Sequence, residues 1–273
     1  LTIVKGRQAH LRNLIDGLDR SEILPDELIV VDMNAEQRSD QEASYPIRVH
    51  HYPARGLPLA KARNLAASLA TSNNLIFLDV DCIPSKTLIR TMQQALEANT
   101  GVVCAPVMYL PKQAVQAGWT EETLRRLGRL HPDRHFPTSG YQLVTTPGLF
   151  WSLLFGVNRE KFYEIAGFDE AFTGYGAEDT DFGFRLSSEG IALIFDSEIG
   201  GFHQYHDSFD PPVQHFEDII RNARVFHRKH SVWPMEGWLK AFSDMGMIRF
   251  TDDGIEVKRM PIDTDYRLSQ ICD

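Results

Sequence analysis

The chain has 273 residues, 43% of them apolar and 24% charged, which suits one large globular domain with a sizeable core. Its 37 acidic against 28 basic residues give a formal net charge of −9, which argues against a nucleic-acid binder with a basic face. The three cysteines, Cys82, Cys104 and Cys272, are scattered and odd in number, which argues against a disulfide framework and points to a reducing compartment.

The opening LTIV reads as a short apolar strand, and Leu11, Leu14, Ile15 and Leu18 then recur at helical spacing. ELIVVDM is a second strand and IRVHHY a third. LAKARNLAASLA has helix-forming composition and leads into the strand NLIFLDV. After Pro84, SKTLIRTMQQALEA predicts a helix with Ser85 as its cap, and GVVCAPVMYL predicts one further strand. Residues 111–140 read as helix and loop. LFWSLLFGV is a strand candidate. The stretch 158–190 holds a short helix, a glycine-rich turn and a second helix ended by Gly190. IALIFD is a strand, a helix follows Pro212, and Asp253-Gly254 marks a hairpin near the end. Strands alternating with helices predict an α/β fold, with a mostly parallel, Rossmann-like central sheet covered on both faces. Ligands of such sheets sit outside the carboxyl ends of the strands.

Asp79 and Asp81, in IFLDVDCIP, stand at such an end. On an extended backbone the i, i+2 spacing turns both carboxylates to one face. Two oxygen ligands there suit Mg2+ or Mn2+, which could clamp a diphosphate. The bland alternative is a turn started by aspartate before Pro84. Glu178-Asp179, with Asp181 behind, forms a second acidic group in GYGAEDTDFGFRL. Acid in the first helical turn is favoured by the helix dipole without any catalysis. The aromatics and glycines before it suit a sugar-binding cleft, and a carboxylate held there could serve as a general base. His203 and His206 could each lend an imidazole to a metal. His50, His51, His215, His227 and His230 carry no motif, and RNARVFHRK reads as a solvated basic face.

In combination these segments resemble a nucleotide-sugar glycosyltransferase of the GT-A fold, in glycosyltransferase family 2. The second half is similar to the galactosyltransferase C-terminal module of β-1,4-galactosyltransferases. VKGRQAHLRNLI resembles the first strand and helix, LAKARNLAASLATSNNLIFLDVDCIP the ARN helix and Asp-x-Asp strand, and AGFDEAFTGYGAEDTDFGFRL the long acidic motif of the module. The sequence departs from the family at VVDMNA, where Met33 replaces a common second aspartate, and at IVKGR in the first strand.

The resemblance implies a catalytic domain over 1–230, with a nucleotide-sugar half (1–110) and an acceptor half (111–230), then an extension over 231–273. It implies Asp179 as catalytic base, with Glu178, Tyr175 and Gly176 at the acceptor. Arg7, Asp32, Arg63, Asn64, Asp79, Val80 and Asp81 would bind the nucleotide-sugar. Asp81 would hold the metal with His203 or, as second choice, His206. The implied activity is an inverting transfer from a UDP-sugar to a glycan or glycolipid acceptor, with Mn2+ favoured over Mg2+. A sugar-phosphate nucleotidylyltransferase and a non-catalytic glycan-binding module are the competing readings. No apolar run approaches the roughly 18 residues of a membrane span and no leader is visible. The expected location is cytoplasmic, with peripheral contact at the inner membrane face through the acceptor.

Overall fold

The computed structural model describes residues 1–36, 42–116 and 118–270; Cys272 lies outside them. The predicted alternation is present in its first part: β1 (Thr2–Val4), α1 (Gln8–Asp19), β2 (Leu28–Asp32), β3 (Ile47–His51), α2 (Leu59–Leu69) and β4 (Asn74–Leu78). Helix α1 buries Leu11, Leu14, Ile15 and Leu18, the residues its periodicity singles out. β1, β2 and β3 pair in parallel. Leu1 joins them to β4: its nitrogen donates to the Ile76 carbonyl at 2.7 Å, and its carbonyl accepts from the Leu78 N–H at 3.0 Å. That contact makes β4 a central strand.

The chain continues through β5 (Cys82–Pro84), α3 (Leu88–Ala98), β6 (Val102–Cys104), β7 (Val107–Tyr109), α4 (Glu121–Leu127), β8 (Arg129–Leu130), β9 (Tyr141–Val144), β10 (Leu154–Asn158) and α5 (Arg159–Glu164). Then come α6 (Glu178–Ser188), β11 (Leu193–Asp196), β12 (Gly201–His203), α7 (Phe216–His230), α8 (Glu236–Asp244), β13 (Ile248–Thr251), β14 (Gly254–Val257) and α9 (Asp263–Ser269). Beyond β4 the sheet runs β10-β6-β11-β9, and only the β6–β11 pairing in it is parallel. A smaller sheet, β5-β12-β7-β8, stands beside it. The sheet is therefore parallel in its first half and mixed in its second.

Two predicted elements differ. GVVCAPVMYL makes two strands, not one, and they join different sheets. Pro106 lies at the break, where its missing N–H cannot extend a ladder. The helix after Pro84 starts at Leu88 with Thr87 as N-cap, and the Ser85 hydroxyl instead pairs with that of Thr87 at 3.3 Å. Cys82–Pro84 is drawn into β5 by antiparallel pairing with β12.

A phenylalanine cluster fills one face of the main sheet; Phe77 stacks on Phe155 at 4.5 Å and Phe168 on Phe182 at 4.6 Å. Fully buried rings of this size stabilise by roughly 2–3 kcal/mol each. α1 and α3 pack with Val30, Leu78 and Val103 in another core cluster. Near the C-terminus, Phe216, Ile219, Ile220 and Ala223 of α7 meet Leu239 and Phe242 of α8 and Ile248 and Ile255 of the hairpin. The basic stretch of α7 is thus the polar side of a strongly amphipathic helix. Among the described residues no helix is long and apolar enough to cross a membrane.

Candidate active site

The aspartates follow the carboxyl end of β4, but not on a continuing strand. The Asp79 carbonyl accepts from the Cys82 N–H at 2.9 Å, so Asp79–Cys82 is a tight turn between β4 and β5. The extended reading of this motif is corrected: the two carboxylates take different partners. Asp79 faces Arg63, with Nη2 to Oδ1 at 3.3 Å. Asp81 faces Arg7 and the histidine segment after β12. Turn and site, alternatives in the sequence, are one feature here. The buried Val80 side chain anchors the turn in the core.

The β5–β12 pairing sets His203 opposite Cys82, and the Gln204 N–H closes on the Asp81 carbonyl at 2.6 Å. Asp81, His203 and His206 thereby present one ligand atom each within 4.8 Å of one another. Burial lowers His203 to about 4, so its ring is neutral. Burial and the Arg7 charge lower His206 as well. The His206 Nδ1–H donates to the Asp207 carbonyl at 3.1 Å, since a carbonyl only accepts; the neutral ring then turns the Nε2 lone pair toward Asp81 Oδ2, 3.7 Å away. Asp81 Oδ1 is buried without a hydrogen-bond partner among the described residues. Burial pushes Asp81 up, yet the Arg7 hydrogen bond and charge, with the histidines, hold it below its ordinary value. Two neutral imidazoles beside a carboxylate that keeps one oxygen without a hydrogen bond fit a divalent cation.

Across Arg63 stands the second group. Arg63 Nη1 donates to Glu178 Oε1 at 3.1 Å, and Glu178 is 5% exposed. Burial and the adjacent Asp179 charge push Glu178 up to about 7. Burial also raises Asp179, opposed by Arg63 and by backbone N–H groups, including Thr180 N at 2.7 Å from Oδ1. Donors at a helix N-terminus favour the ionised form and so work against burial at Asp179. Asp181 points elsewhere. It is fully buried and pairs with Arg185 at 2.7 Å, Lys229 at 2.7 Å and His230 at 2.8 Å, a structural network.

The loop before α6 is fixed by α7. The Asn222 amide donates to the carbonyls of Thr173, Tyr175 and Gly176 at 2.8 to 3.2 Å, and Asp218 accepts the Tyr175 N–H at 3.2 Å. Gly174 has φ +76, and a Cβ there would lie 2.1 Å from the Asp218 carboxylate carbon. Asp218 is tied to Arg221 at 2.6 Å and cannot yield without losing that bond. Gly176, at φ +94, likewise passes close to the Met235 sulfur. Gly174→Ala should therefore destabilise the fold by roughly 2–3 kcal/mol. Urea unfolding reads this directly; an unchanged midpoint would show that the loop does not pass so near α7.

Other expected residues are engaged nearby. Asp32 is buried, and its Oδ1 accepts from the Asn34 backbone N–H at 2.9 Å, shaping the turn after β2. Asn64 does not join the carboxylates: it clamps the Phe168 backbone from both sides, at 2.8 Å each, and fixes the GFDE loop to α2. Tyr175 stacks on His215 at 4.3 Å, with Trp238 of α8 at 6.1 Å, so part of its ring is already covered. Sequence reasoning missed His10, 4.0 Å from Asp81, and the α1 latch in which Asn13 donates to Gln204 Oε1 at 2.7 Å. Their signal was faint, because isolated polar residues on a helix look solvated. It also missed Asp218, Asn222 and His215 for the same reason. A cavity of about 370 Å³ lies apart from all of this, at the opposite strand ends near Leu28, Leu75 and Leu96.

A strand-end turn of aspartates beside paired histidines, facing an acidic helix N-terminus on a Rossmann-like sheet, defines the GT-A class of fold. Solved structures share it: Staphylococcus aureus TarS residues 1–349 matches with TM-score 0.57 at 14% identity, over 83% of this chain and 64% of that one. GalNAc-T7 matches with TM-score 0.53 at 17% identity, over 75% and 42%. Residues 25–200 match the family model described as glycosyltransferase like family 2, and the chain belongs to that family. Among curated relatives, validoxylamine A glucosyltransferase of Streptomyces hygroscopicus subsp. limoneus is 28% identical over 261 residues, covering 85% of this chain and 56% of that protein. Chondroitin synthase of Escherichia coli is 25% identical over 217 residues, covering 68% and 30%. The chain spans about half the length, or less, of the curated relatives it matches.

Proposed function

We propose that the chain is the catalytic part of a metal-dependent, inverting glycosyltransferase that moves a sugar from a UDP-sugar to a hydroxyl of a glycan or glycolipid. The observation that carries this is the division of labour around Arg63. On one side lies an aspartate with two neutral imidazoles; on the other lies a carboxylate pair at a helix N-terminus. The relatives named glucosyltransferase support the reaction class. TarS has been solved with UDP-GlcNAc and GalNAc-T7 with UDP, GalNAc and Mn2+, which supports UDP as the nucleotide.

Asp81, His203 and His206 would hold the ion. Their mixed oxygen and nitrogen donors favour Mn2+ over Mg2+. Such an ion, when bound, supplies positive charge against the departing nucleoside diphosphate. Arg7 adds a second positive charge on that side. Asp79, with Asp32 and the turn backbone at Val80, faces the nucleoside. Asp179 takes the proton of the acceptor hydroxyl, which attacks the anomeric carbon from the face opposite the leaving group. Glu178 accepts a hydrogen bond from the acceptor or gives one to it. The loop of Tyr175 and Gly176 receives the acceptor ring. We read residues 1–230 as the catalytic unit, 231–273 as an extension packed on α7, and the segment around Gly176–Asp179 as a galactosyltransferase-type module. A nucleotidylyltransferase would need a lysine free for a triphosphate, yet Lys5 donates to the Ala54 and Gly56 carbonyls.

A thermal-shift panel of nucleotide-sugars with and without Mn2+ tests this reading. A UDP-sugar with Mn2+ should raise the melting temperature selectively, by mass action on the native state. Stabilisation by a nucleoside triphosphate alone, or by glycans without metal, would overturn it.

A further inference from the structure

Arg63 has little side-chain surface to offer a nucleotide. It is 5% exposed, and each terminal nitrogen donates to a carboxylate: Nη2 to Asp79 Oδ1 at 3.3 Å, Nη1 to Glu178 Oε1 at 3.1 Å. Its guanidinium also lies 5.3 Å from the Phe168 ring centroid, in the loop that Asn64 clamps to the same helix. The two carboxylates lie 16 and 115 residues along the chain from Arg63. α2 thus holds, through one side chain, the turn that follows β4 and the start of α6.

We propose that Arg63 is a positioning residue, which bridges the Asp79 turn to Glu178 and sets the spacing between the donor and acceptor sides without touching the nucleotide. The inference rests on Asp179 as the base and goes beyond it. The planar fork suits this task, because it reaches two carboxylates at fixed angles where lysine would reach one. The groups facing the Glu178–Asp179 pair are Arg63 from α2, Asp79 from the turn and Tyr175 from the preceding loop, with backbone N–H groups of Ser152 and Thr180. Burial pushes both carboxyls up, the Asp179 charge adds to this at Glu178, and Arg63 opposes the rise at both. Without that cation the pair holds its proton to higher pH.

The test combines pH profiles of kcat/KM with calorimetry of UDP in Mn2+ for the parent, Arg63→Met and Arg63→Lys. In Arg63→Met, kcat should fall about 100-fold, as for reacting groups displaced by about 1 Å. The acidic limb should move up by roughly one pH unit or more, as for a carboxylate losing an adjacent cation. Kd for UDP should weaken by less than about tenfold, because Asp81, His203 and His206 stay in place. Arg63→Lys should keep the limb near the parent position and still lose turnover, because it restores the charge and not the bridge. A Kd weakened tenfold or more with the limb unmoved would overturn the proposal in favour of direct nucleotide contact. An unmoved limb with unchanged Kd would reduce Arg63 to packing and overturn it equally. The Glu178 carboxyl resonance, titrated by 13C NMR in Asp179→Asn and in its double variant with Arg63→Met, reads the pairing without turnover. A rise in that midpoint on losing Arg63 is expected even if Asp179 proves not to be the base, and no rise sinks the bridge itself.

Discussion

Asp179→Asn is expected to lower kcat by roughly 10²–10⁴-fold, the usual contribution of a positioned general base. Asparagine keeps the size of the side chain and can still accept from the Thr180 N–H, so α6 should begin where it does now. What it lacks is a basic oxygen for the acceptor proton. UDP binding in Mn2+ should be nearly unchanged, since Arg63 and Glu178 intervene between Asp179 and the Asp79–Asp81 turn. Coupled assay of UDP release, with calorimetry on the same preparation, separates the two effects. A variant that turns over at the parent rate would remove Asp179 from the chemistry. The parent should also lose activity on acidification, because burial raises Asp179, the carboxylate that must be ionised, above its ordinary value.

Asp81→Ala is expected to act on the opposite side. It deletes the orphaned Oδ1 and with it Oδ2, which faces the His206 lone pair and pairs with Arg7. Outer-sphere groups of metal sites are worth 10–100-fold in affinity, and a direct ligand more. Mn2+ should no longer tighten UDP by any measurable factor, where the parent should gain at least about 100-fold. Fold stability should fall modestly at neutral pH, because the interactions that hold the Asp81 carboxyl below its ordinary value are lost and Arg7 is left without its partner. If Mn2+ still tightens UDP in Asp81→Ala, the ion sits elsewhere and the histidine pair has another role.

Much of this site was legible from local pattern. The apolar run ending in Asp79 and the acidic start of α6 are features that adjacent residues create, and both stand at strand or helix ends as expected. So is the buried stripe of α1. The turn at Asp79–Cys82 was not legible, because period-two spacing cannot tell a strand from a turn followed by a second strand. β5 exists only through its pairing with β12, which lies more than a hundred residues away, and that same pairing brings His203 to Asp81. The α7 clamp was hidden for a related reason. Asp218 and Arg221 lie on the polar side of an amphipathic helix and Asn222 is buried at the edge of its apolar stripe, and local sequence offers no difference between a solvated polar residue and one gripping a loop. Pro106 did carry a signal, and it divides the strand that sequence reading kept whole.

The most direct measurement is calorimetric titration of UDP into Asp81→Ala and Asp179→Asn side by side, each with and without Mn2+. If the two carboxylate sites divide leaving group and nucleophile, Asp179→Asn keeps the Mn2+-dependent tightening and Asp81→Ala loses it. Equal behaviour of the two variants, in either direction, would contradict that division.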